Sequence, residues 1–184
     1  MMQYCSACGA RVTYRIPEGD DRERAICDAC AIVHYVNPRI IVGCLPEHEG
    51  RLLLCLRAIE PRRNFWTLPA GFMENGETTQ QGAARETWEE AEARVENMAL
   101  YRIYDVPYIN QVYMFYRCSV IDGVHRAGPE SLETRLFAAD DIPWDNLAFP
   151  SVFRALSSYL HDREADNAFP AQVETILRRR DAGG

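Results

Sequence analysis

The stretch from Gly71 to Ala93 reads GFMENGETTQQGAARETWEEAEA and decides how the surrounding chain folds. Its first six residues begin and end with glycine, which favours sharp turns and close backbone approach. Residues 78–91 contain no proline and are rich in Ala, Glu, Gln and Arg, so they predict a helix. Thr78 with Gln81 three positions later predicts a capping box at its start. The stretch therefore predicts a glycine-bordered loop that leads directly into a helix N-terminus.

Three acidic side chains share one face of this predicted helix, namely Glu86, Glu89 and Glu90. Residues three and four apart lie on the same side of a helix, so these carboxylates fall within an arc of roughly 100°. The opposite face is predicted to pack against a sheet through Ala84, Trp88 and Ala91.

The acidic cluster is costly without a counter-charge. Two carboxylates about 5 Å apart repel by about 3 kcal/mol at an effective dielectric of about 20. Arg85 lies four residues before Glu89 and is expected to neutralise part of the cluster. The charges alone leave two interpretations open, a solvated helix face or a site for Mg²⁺ or Mn²⁺, which prefer oxygen ligands.

The spacing of loop and helix favours the second interpretation. Gly71 is followed after five residues by Glu77, and after seven more by the run Arg85-Glu86-Thr87-Trp88-Glu89-Glu90. This spacing resembles the Nudix box, G-x5-E-x7-R-E-U-x-E-E-x-G-U, in which U is an aliphatic residue. The first glycine and every charged position match.

The pattern departs from that box at Thr87, at Glu92, which stands at the second glycine, and at Ala93. That glycine usually ends the helix in a left-handed conformation. Such a conformation costs a non-glycine residue about 1–2 kcal/mol. Either the helix ends differently here or the strain is tolerated.

The resemblance implies hydrolysis of a diphosphate that joins a nucleoside to another group, X. It implies that Glu86, Glu89 and Glu90, with the Gly71 carbonyl, hold Mg²⁺ or Mn²⁺, which would neutralise the diphosphate and activate water. Arg85 is expected, together with Glu77, to brace the loop against the helix.

The general base is open between glutamates of the box, Glu86 or Glu90, and a glutamate outside it. The nearest outside candidates are Glu130 and Glu133. Glu133 alternates with leucines in a strand-like run, so a structural role is at least as plausible for it.

Arginines near the loop are candidates for contacting phosphate. Arg57 ends a strand-like run and is the best of them, ahead of Arg62 and Arg63; a solvated surface is the alternative. Tyrosines with strand spacing could stack on adenine or flavin. The simpler alternative is that they pack in the core or on the face of the sheet. They are Tyr101, Tyr104, Tyr108, Tyr113 and Tyr116.

Strand-like runs predict a sheet around the helix. Residues 39–45 and 51–57 predict a hairpin, and further strands are expected at 66–69, 95–105, 111–121 and 132–138, with a second helix at 151–162. Mixed strands with a few helices indicate an α/β (α+β) sandwich, in which helices cover a mixed sheet. The resemblance implies the Nudix-type α/β/α sandwich.

Four cysteines predict a structural zinc site: Cys5, Cys8, Cys27 and Cys30. They form two C-x2-C pairs, and two such pairs complete a tetrahedral Zn²⁺ site. A disulfide pair is the alternative, but seven is an odd cysteine count and residues 1–5 lack the features of an export signal. Because four thiolates already close the site, His34 is predicted to be a linker residue. Cys44, Cys55 and Cys118 are expected to be buried thiols without chemistry.

Composition limits the partners. The 184 residues carry 20 Lys and Arg against 27 Asp and Glu, a net charge of −7. A net acidic chain is a poor general binder of phosphate backbones, so no nucleic-acid partner is expected. No apolar run approaches the ~20 residues that cross a membrane, and a cytoplasmic location is expected.

The predicted organisation is a zinc ribbon at 1–36, a Nudix hydrolase domain at 37–165 and a poorly ordered polar tail at 166–184.

Segments outside the box narrow the resemblance. Four segments look like the plant FAD pyrophosphatase and ADP-ribose pyrophosphatase type: the ribbon, Asn37-Pro38-Arg39, Trp66 through Gly71, and Gly128 through Glu133. FAD or ADP-ribose is therefore the expected small nucleotide substrate, with AMP released, and a homodimer is open. NADH is ranked lower because residues 104–111 lack the S-Q-P-W-P-F-P-x-S stretch of NADH pyrophosphatases. A non-catalytic nucleotide sensor with a protein or nucleic-acid partner is the competing hypothesis, and cleansing of oxidised nucleoside triphosphates fits less well.

Overall fold

Residues 1–165 and 168–178 are described by the structure, a computed structural model. The chain divides into two units, Met1–Asn37 and Pro38–Gly184. No helix in the described part of the chain has the length and apolarity to cross a membrane.

The first unit is a small antiparallel sheet. Its strands, in order, are β1 (Val12–Arg15), β2 (Arg24–Cys27) and β3 (Val33–His34). The buried apolar side chains of β2 are Ala25, Ile26 and Cys27. So small a core provides little hydrophobic stabilisation, which is typical of a unit that a metal ion holds together.

The second unit is a mixed sheet flanked by helices. Its strands are β4 (Arg39–His48), β5 (Arg51–Arg57), β6 (Trp66–Thr67), β7 (Ala70–Phe72), β8 (Val95–Val106), β9 (Gln111–Val120), β10 (Ser131–Phe137) and β11 (Gln172–Thr175). Its helices are α1 (Thr79–Ala91) and α2 (Pro150–Glu164). Within the described residues the order is β10-β5-β4-β9-β8-β11, with β6 on β5 and β7 on β4. The predicted α+β sandwich with a mixed sheet is confirmed.

Strand β5 shows why its sequence is apolar without interruption. Leu52 and Leu54 belong to the core that includes α2, whereas Leu53 and Cys55 belong to the core that includes Ala91 of α1. Successive strand residues point to opposite faces, so a strand covered on both sides needs apolar residues throughout. The two cores make β5 a central strand of a three-layer sandwich.

The hairpin between β4 and β5 opens soon after its turn. Its register is Glu47 with Leu52 and His48 with Arg51, after which the two strands separate. Further along, β4 pairs with β7 instead, and β5 pairs with β6. This divergence leaves room for β7 to pair with β4, and the loop that follows Phe72 leads from β7 to the start of α1.

The predicted poorly ordered tail is wrong for part of its length. Strand β11 pairs in parallel with β8, and Ile176, which follows it, is 4% exposed in the main core. Residues 172–176 look polar in sequence because β11 is an edge strand, and of these residues only Ile176 is buried. Residues 166–167 and 179–184 of that tail lie outside the described residues.

A buried ion pair ties β8 to α2 and the last strand. Arg102 is 2% exposed, and its Nη2 lies 2.8 Å from Asp162 Oδ2. Its Nη1 donates to the Pro170 carbonyl at 2.9 Å, and Nε lies 3.6 Å from Glu174 Oε1. Tyr101 also donates its hydroxyl to Asp162 at 2.7 Å. A charge this deeply buried persists only with such partners.

We expect Arg102→Met to lower the free energy of unfolding by about 3–5 kcal/mol, because it breaks the buried ion pair between Arg102 and Asp162. Urea denaturation followed by circular dichroism measures the loss. The matched control is Arg135→Met, which breaks the exposed Arg135–Glu133 pair of 2.6 Å. That variant should lose about 1 kcal/mol or less. Equal losses in the two variants would contradict the structural role assigned to Arg102.

Candidate functional site

Helix α1 begins as predicted. Thr78 is its N-cap, and its Oγ1 accepts from the Gln81 N–H at 3.1 Å. The Gln81 side chain accepts from the Thr78 N–H at 2.8 Å, which completes the capping box. This reciprocal pair satisfies helix-end donors and fixes where the preceding loop stops.

The inner face of α1 differs from the prediction. The residues that it buries are Gly82, Ala83, Thr87, Glu90 and Ala91. Ala84 is only partly buried and Trp88 is 46% exposed, so their predicted packing against the sheet is wrong. Because Ala83, Thr87 and Ala91 are spaced by four, they set the buried stripe, and Ala84 and Trp88 lie about 100° away from it.

Arg85 joins the loop to the helix. Its Nε and Nη2 donate to the two oxygens of Glu77 at 3.0 and 2.8 Å, and this pairing lowers the pKa of Glu77 to about 2. Its Nη2 also donates to the Phe72 carbonyl at 3.1 Å. Its Nη1 donates to Glu86 at 2.7 Å and to Glu89 at 3.0 Å. One planar guanidinium therefore holds two loop residues and two helix residues in a fixed arrangement.

Two carboxylates of this helix face, those of Glu86 and Glu90, are largely buried. Glu90 is 6% exposed, and its Oε2 is buried without a hydrogen-bond partner among the described residues. Burial, reinforced by the charge of Glu86, raises the pKa of Glu90 to about 8. Burial also raises the pKa of Glu86. A side chain at Gly71 would collide with the Glu86 carboxylate and would have to displace it.

The third carboxylate, that of Glu89, is more exposed and is drawn to Arg85. Among the described residues, the four N-terminal cysteines are the only group of three or more His, Cys, Asp or Glu side chains whose ligand atoms all lie within 4.8 Å of one another. The three glutamates therefore share a helix face without closing into a compact cluster. The unpartnered Glu90 oxygen and the Glu86 carboxylate that lies against Gly71 nevertheless offer oxygen ligands of the kind that a divalent cation binds.

The C-terminal end of α1 settles the question left by the missing glycine. Glu92 adopts the left-handed conformation, with φ 42° and ψ 30°, and its N–H donates to the Trp88 carbonyl at 2.8 Å. Its side chain accepts from Arg126 Nε at 2.8 Å. The helix thus ends as a glycine-capped helix does, and the ion pair helps to offset the strain.

A loop missed by sequence reasoning crosses this helix end. The Arg126 N–H donates to the Ala91 carbonyl at 2.8 Å, and the Gly128 N–H donates to the Glu90 carbonyl at 3.0 Å. A side chain at Gly128 would collide with the Glu89 carbonyl. The Gly128-Pro129 pair signals a turn but gives no indication of what the turn contacts.

A cavity of about 960 Å³ lies over these residues. It is bordered by all three glutamates of the helix, by Gly71 and Arg85, and also by Arg57 and Glu130. The predicted site residues of this unit are therefore brought together. Arg57 donates through Nε to the Pro61 carbonyl at 2.9 Å and lies 5.2 Å from the Phe149 ring centre.

The weaker candidates lie elsewhere. Glu133 pairs with Arg135 on β10, which favours the structural role. Arg62 lies over the ring of Phe65, 5.2 Å from its centre. Arg63 is exposed.

A smaller slot of about 130 Å³ adjoins the main cavity and shares Arg57, Gly71 and Phe72 with it. Tyr113 lines this slot and donates its hydroxyl to Gln111 Oε1 at 2.9 Å. By contrast Tyr101, Tyr104 and Tyr116 are buried in the cores, which favours the packing role for them. Tyr108 is exposed.

In the first unit, the four predicted cysteines converge. Their Sγ atoms all lie within 4.8 Å, with Cys5 3.6 Å from Cys30 and Cys8 3.4 Å from Cys27. The Ala7 N–H donates to Cys5 Sγ at 3.4 Å, a backbone contact of the kind that stabilises a thiolate. Thiolates are the form that binds zinc, so the cluster fits a Zn²⁺ ion.

The predicted linker role of His34 is wrong. His34 lies in β3, and its Nε2 is 3.3 Å from Cys5 Sγ. It packs beside the cluster because β3 pairs with β2, which carries Cys27. The ring contacts a cluster sulfur while the four thiols remain the ligand set.

Comparison with known proteins agrees with this arrangement. The NUDIX domain family matches residues 37–156, and the module described as Nudix N-terminal, a zinc ribbon, matches residues 3–36. The crystal structure of a NUDIX hydrolase from Nitrosomonas europaea is 51% identical, with a TM-score of 0.89 over 95% of this chain and all of that one. The chain therefore belongs to the Nudix hydrolase family and carries its N-terminal zinc-ribbon module, as its sequence predicts.

Two relatives have named activities. An ADP-ribose pyrophosphatase from Methanocaldococcus jannaschii is 29% identical over 119 residues, 62% of this chain and 69% of that one. The NAD-capped RNA hydrolase NudC from Photobacterium profundum is 30% identical over 145 residues, 76% of this chain. The match spans only 51% of the length of that hydrolase.

We expect the stability of the metal-free protein to fall as the pH rises from about 5 to about 8. An unfolded glutamate titrates near about 4.3, whereas Glu90 in the folded protein titrates at about 8. Between these values the folded state holds a proton that the unfolded state has lost, so raising the pH favours unfolding.

The test measures urea denaturation in EDTA for the wild type, Glu90→Gln and Glu133→Gln. Glu90→Gln should remove a slope of up to about 1.4 kcal/mol per pH unit. Glu133→Gln should follow the wild type. If Glu90→Gln also ran parallel to the wild type, burial would not be raising the pKa of Glu90.

Proposed function

We propose that this chain hydrolyses a nucleoside diphosphate linked to another group, X, with FAD or ADP-ribose as substrate and AMP as a product. The observation that carries the proposal is the buried, unpartnered oxygen of Glu90 next to Glu86 and Gly71, on the floor of the large cavity. A carboxylate in that position is unfavourable unless a cation accompanies it. The space above it accommodates a diphosphate.

Glu86, Glu89 and Glu90 would hold Mg²⁺ or Mn²⁺ with the Gly71 carbonyl. When bound, such a cation supplies neutralisation of the diphosphate charge and activation of water. Arg85 and Glu77 position these carboxylates, since the guanidinium contacts both loop and helix.

Glu130 is the proposed general base. It borders the same cavity, and its charge raises the pKa values of Glu86 and Glu90, so it lies near both. None of the ion pairs between described residues involves it, which leaves its carboxylate free to accept a proton from water. Water adds to one phosphorus as the bond to the bridging oxygen breaks, and AMP and the phosphorylated X group leave.

Arg57 is proposed to bind a phosphate at the boundary between the main cavity and the slot. The slot, of about 130 Å³, would receive the base of the nucleoside, with Phe149 and Tyr113 as its aromatic walls. The amide nitrogen of Gln111 is available to recognise a base, because Tyr113 engages only its oxygen.

Cleavage of NAD or NADH is the second candidate, favoured by the identity with the NAD-capped RNA hydrolase over 76% of this chain. A non-catalytic sensor is less well supported, since every charged position of the box is retained. A homodimer and a cytoplasmic location remain predictions.

With Mg²⁺ or Mn²⁺ present, FAD, ADP-ribose, NADH and a nucleoside triphosphate are offered in parallel, and AMP release is measured by chromatography. We expect cleavage of FAD or ADP-ribose, and a loss of more than about 100-fold in Glu90→Gln. Glu130→Gln should lower kcat by about 100- to 10,000-fold, the range for a general base.

Glu133→Gln is the matched control and should retain activity, because this glutamate is engaged by Arg135. If the wild type cleaved no diphosphate faster than Glu90→Gln, the catalytic proposal would fail. Preferential cleavage of NADH would replace FAD and ADP-ribose by the second candidate.

We also propose Zn²⁺ for the four-cysteine cluster. Metal analysis should find about one zinc per chain, the stoichiometry of a closed four-thiolate site. The double variant Cys5→Ser, Cys27→Ser should lose it, whereas Cys118→Ala, which removes a buried thiol of β9, should retain it. Zinc retained by the double variant would refute this assignment.

A further inference from the structure

A third cavity, of about 580 Å³, borders the main one at the C-terminal end of α1. The two share Trp88, Glu92 and Arg126. The smaller slot joins the main cavity through a different set, which includes Arg57 and Gly71. The carboxylates thus lie in a cavity with one adjoining space beside Arg57 and another beside Trp88.

Trp88 lines both the main cavity and this third one. It directly precedes Glu89, and its side chain is 46% exposed on the outer side of the helix. The Arg94 guanidinium lies over its ring, 5.6 Å from the centre. Held in this way beside the acidic site, the indole presents a flat apolar surface to both cavities.

The remaining walls of the third cavity are mixed. Ile121 and Val124 are exposed apolar residues, while Asp122, Arg94 and His125 add polar groups. A planar heterocycle has apolar faces and polar edges. Walls of this kind therefore fit a flat ring better than a sugar or a second phosphate chain.

We propose that Trp88 contacts the substrate, and that a planar X group, the flavin of FAD or the nicotinamide of NAD, stacks on its indole in this third cavity. The inference rests on the proposed function for the position of the diphosphate and deepens it by naming the class of X. ADP-ribose ends in a ribose, which is not a planar aromatic ring, so it gains no stacking on the indole.

The test compares wild type, Trp88→Ala and Trp88→Phe on FAD, NAD and ADP-ribose, with KM and kcat determined separately. FAD and NAD have a planar aromatic X group. For whichever of the two is cleaved, we expect Trp88→Ala to raise KM about tenfold, equivalent to about 1.4 kcal/mol. The rise for ADP-ribose should be at least fivefold smaller. Trp88→Phe should recover most of the affinity, because phenylalanine retains an aromatic face.

Phe153→Ala is the matched control. Phe153 is a comparably exposed aromatic residue on α2 and packs on Trp144, with ring centres 5.3 Å apart. It should leave all KM values unchanged. An equal KM rise for all three substrates in Trp88→Ala would place Trp88 at the shared ADP half, and no rise would remove it from the site. Either result overturns the proposal.

A binding measurement separates this inference from the proposed function. FMN contains the flavin and one phosphate, and quenching of its fluorescence reports stacking without any hydrolysis. With Mg²⁺ present, the wild type should bind FMN at least tenfold more tightly than Trp88→Ala. If the wild type cleaved nothing but this difference held, the proposed function would fail and the Trp88 site would stand. Equal FMN binding would overturn the Trp88 site alone.

Discussion

The forked contact between Arg85 and Glu77 is the constraint on which the site depends. Glu77 belongs to the loop and Arg85 to the helix, and two hydrogen bonds of 3.0 and 2.8 Å join them. Because the same guanidinium also reaches Glu86 and Glu89, it holds like charges together that would otherwise repel. The acidic site is therefore stabilised from inside the protein before any cation binds.

The pairing of the sheet strands explains the position of the contact between Arg85 and Glu77. Strands β4 and β5 are paired near their turn and then separate, which allows β7 to pair with β4 inside the sheet. The chain leaves β7 after Phe72, turns at Gly76, where φ is 90°, and enters α1, whose inner stripe packs over the same strands. Glu90 lies on that inner stripe, and this burial raises its pKa. The raised pKa of Glu90 is thus a consequence of how the helix packs.

The C-terminal end of α1 shows which contacts Glu92 makes at the position where the Nudix box has its second glycine. Glu92 keeps the left-handed conformation of the usual glycine but adds a carboxylate, which Arg126 binds. Arg126 and Gly128 carry a loop across the helix end through hydrogen bonds to its last carbonyls. Arg126 of that loop, Glu92 and Trp88 line both the main cavity and the third cavity. The residue that replaces the usual glycine therefore borders both cavities.

By itself the sequence determined the local features and the family. The capping box, the i,i+4 pair of Arg85 and Glu89, the paired cysteines and the spacing of the acidic residues depend on neighbours along the chain, and short-range rules describe them well. Only the tertiary structure decided which side of α1 is buried, because that depends on the strands beneath it, and Trp88 was misplaced for this reason. The same holds for β11, whose pairing with β8 depends on residues about seventy positions away, and for His34, which a strand pair brings to Cys5. Long-range contacts also place Arg57, Glu130 and the Arg126 loop around one cavity, since residues distant in sequence meet only when the sheet forms.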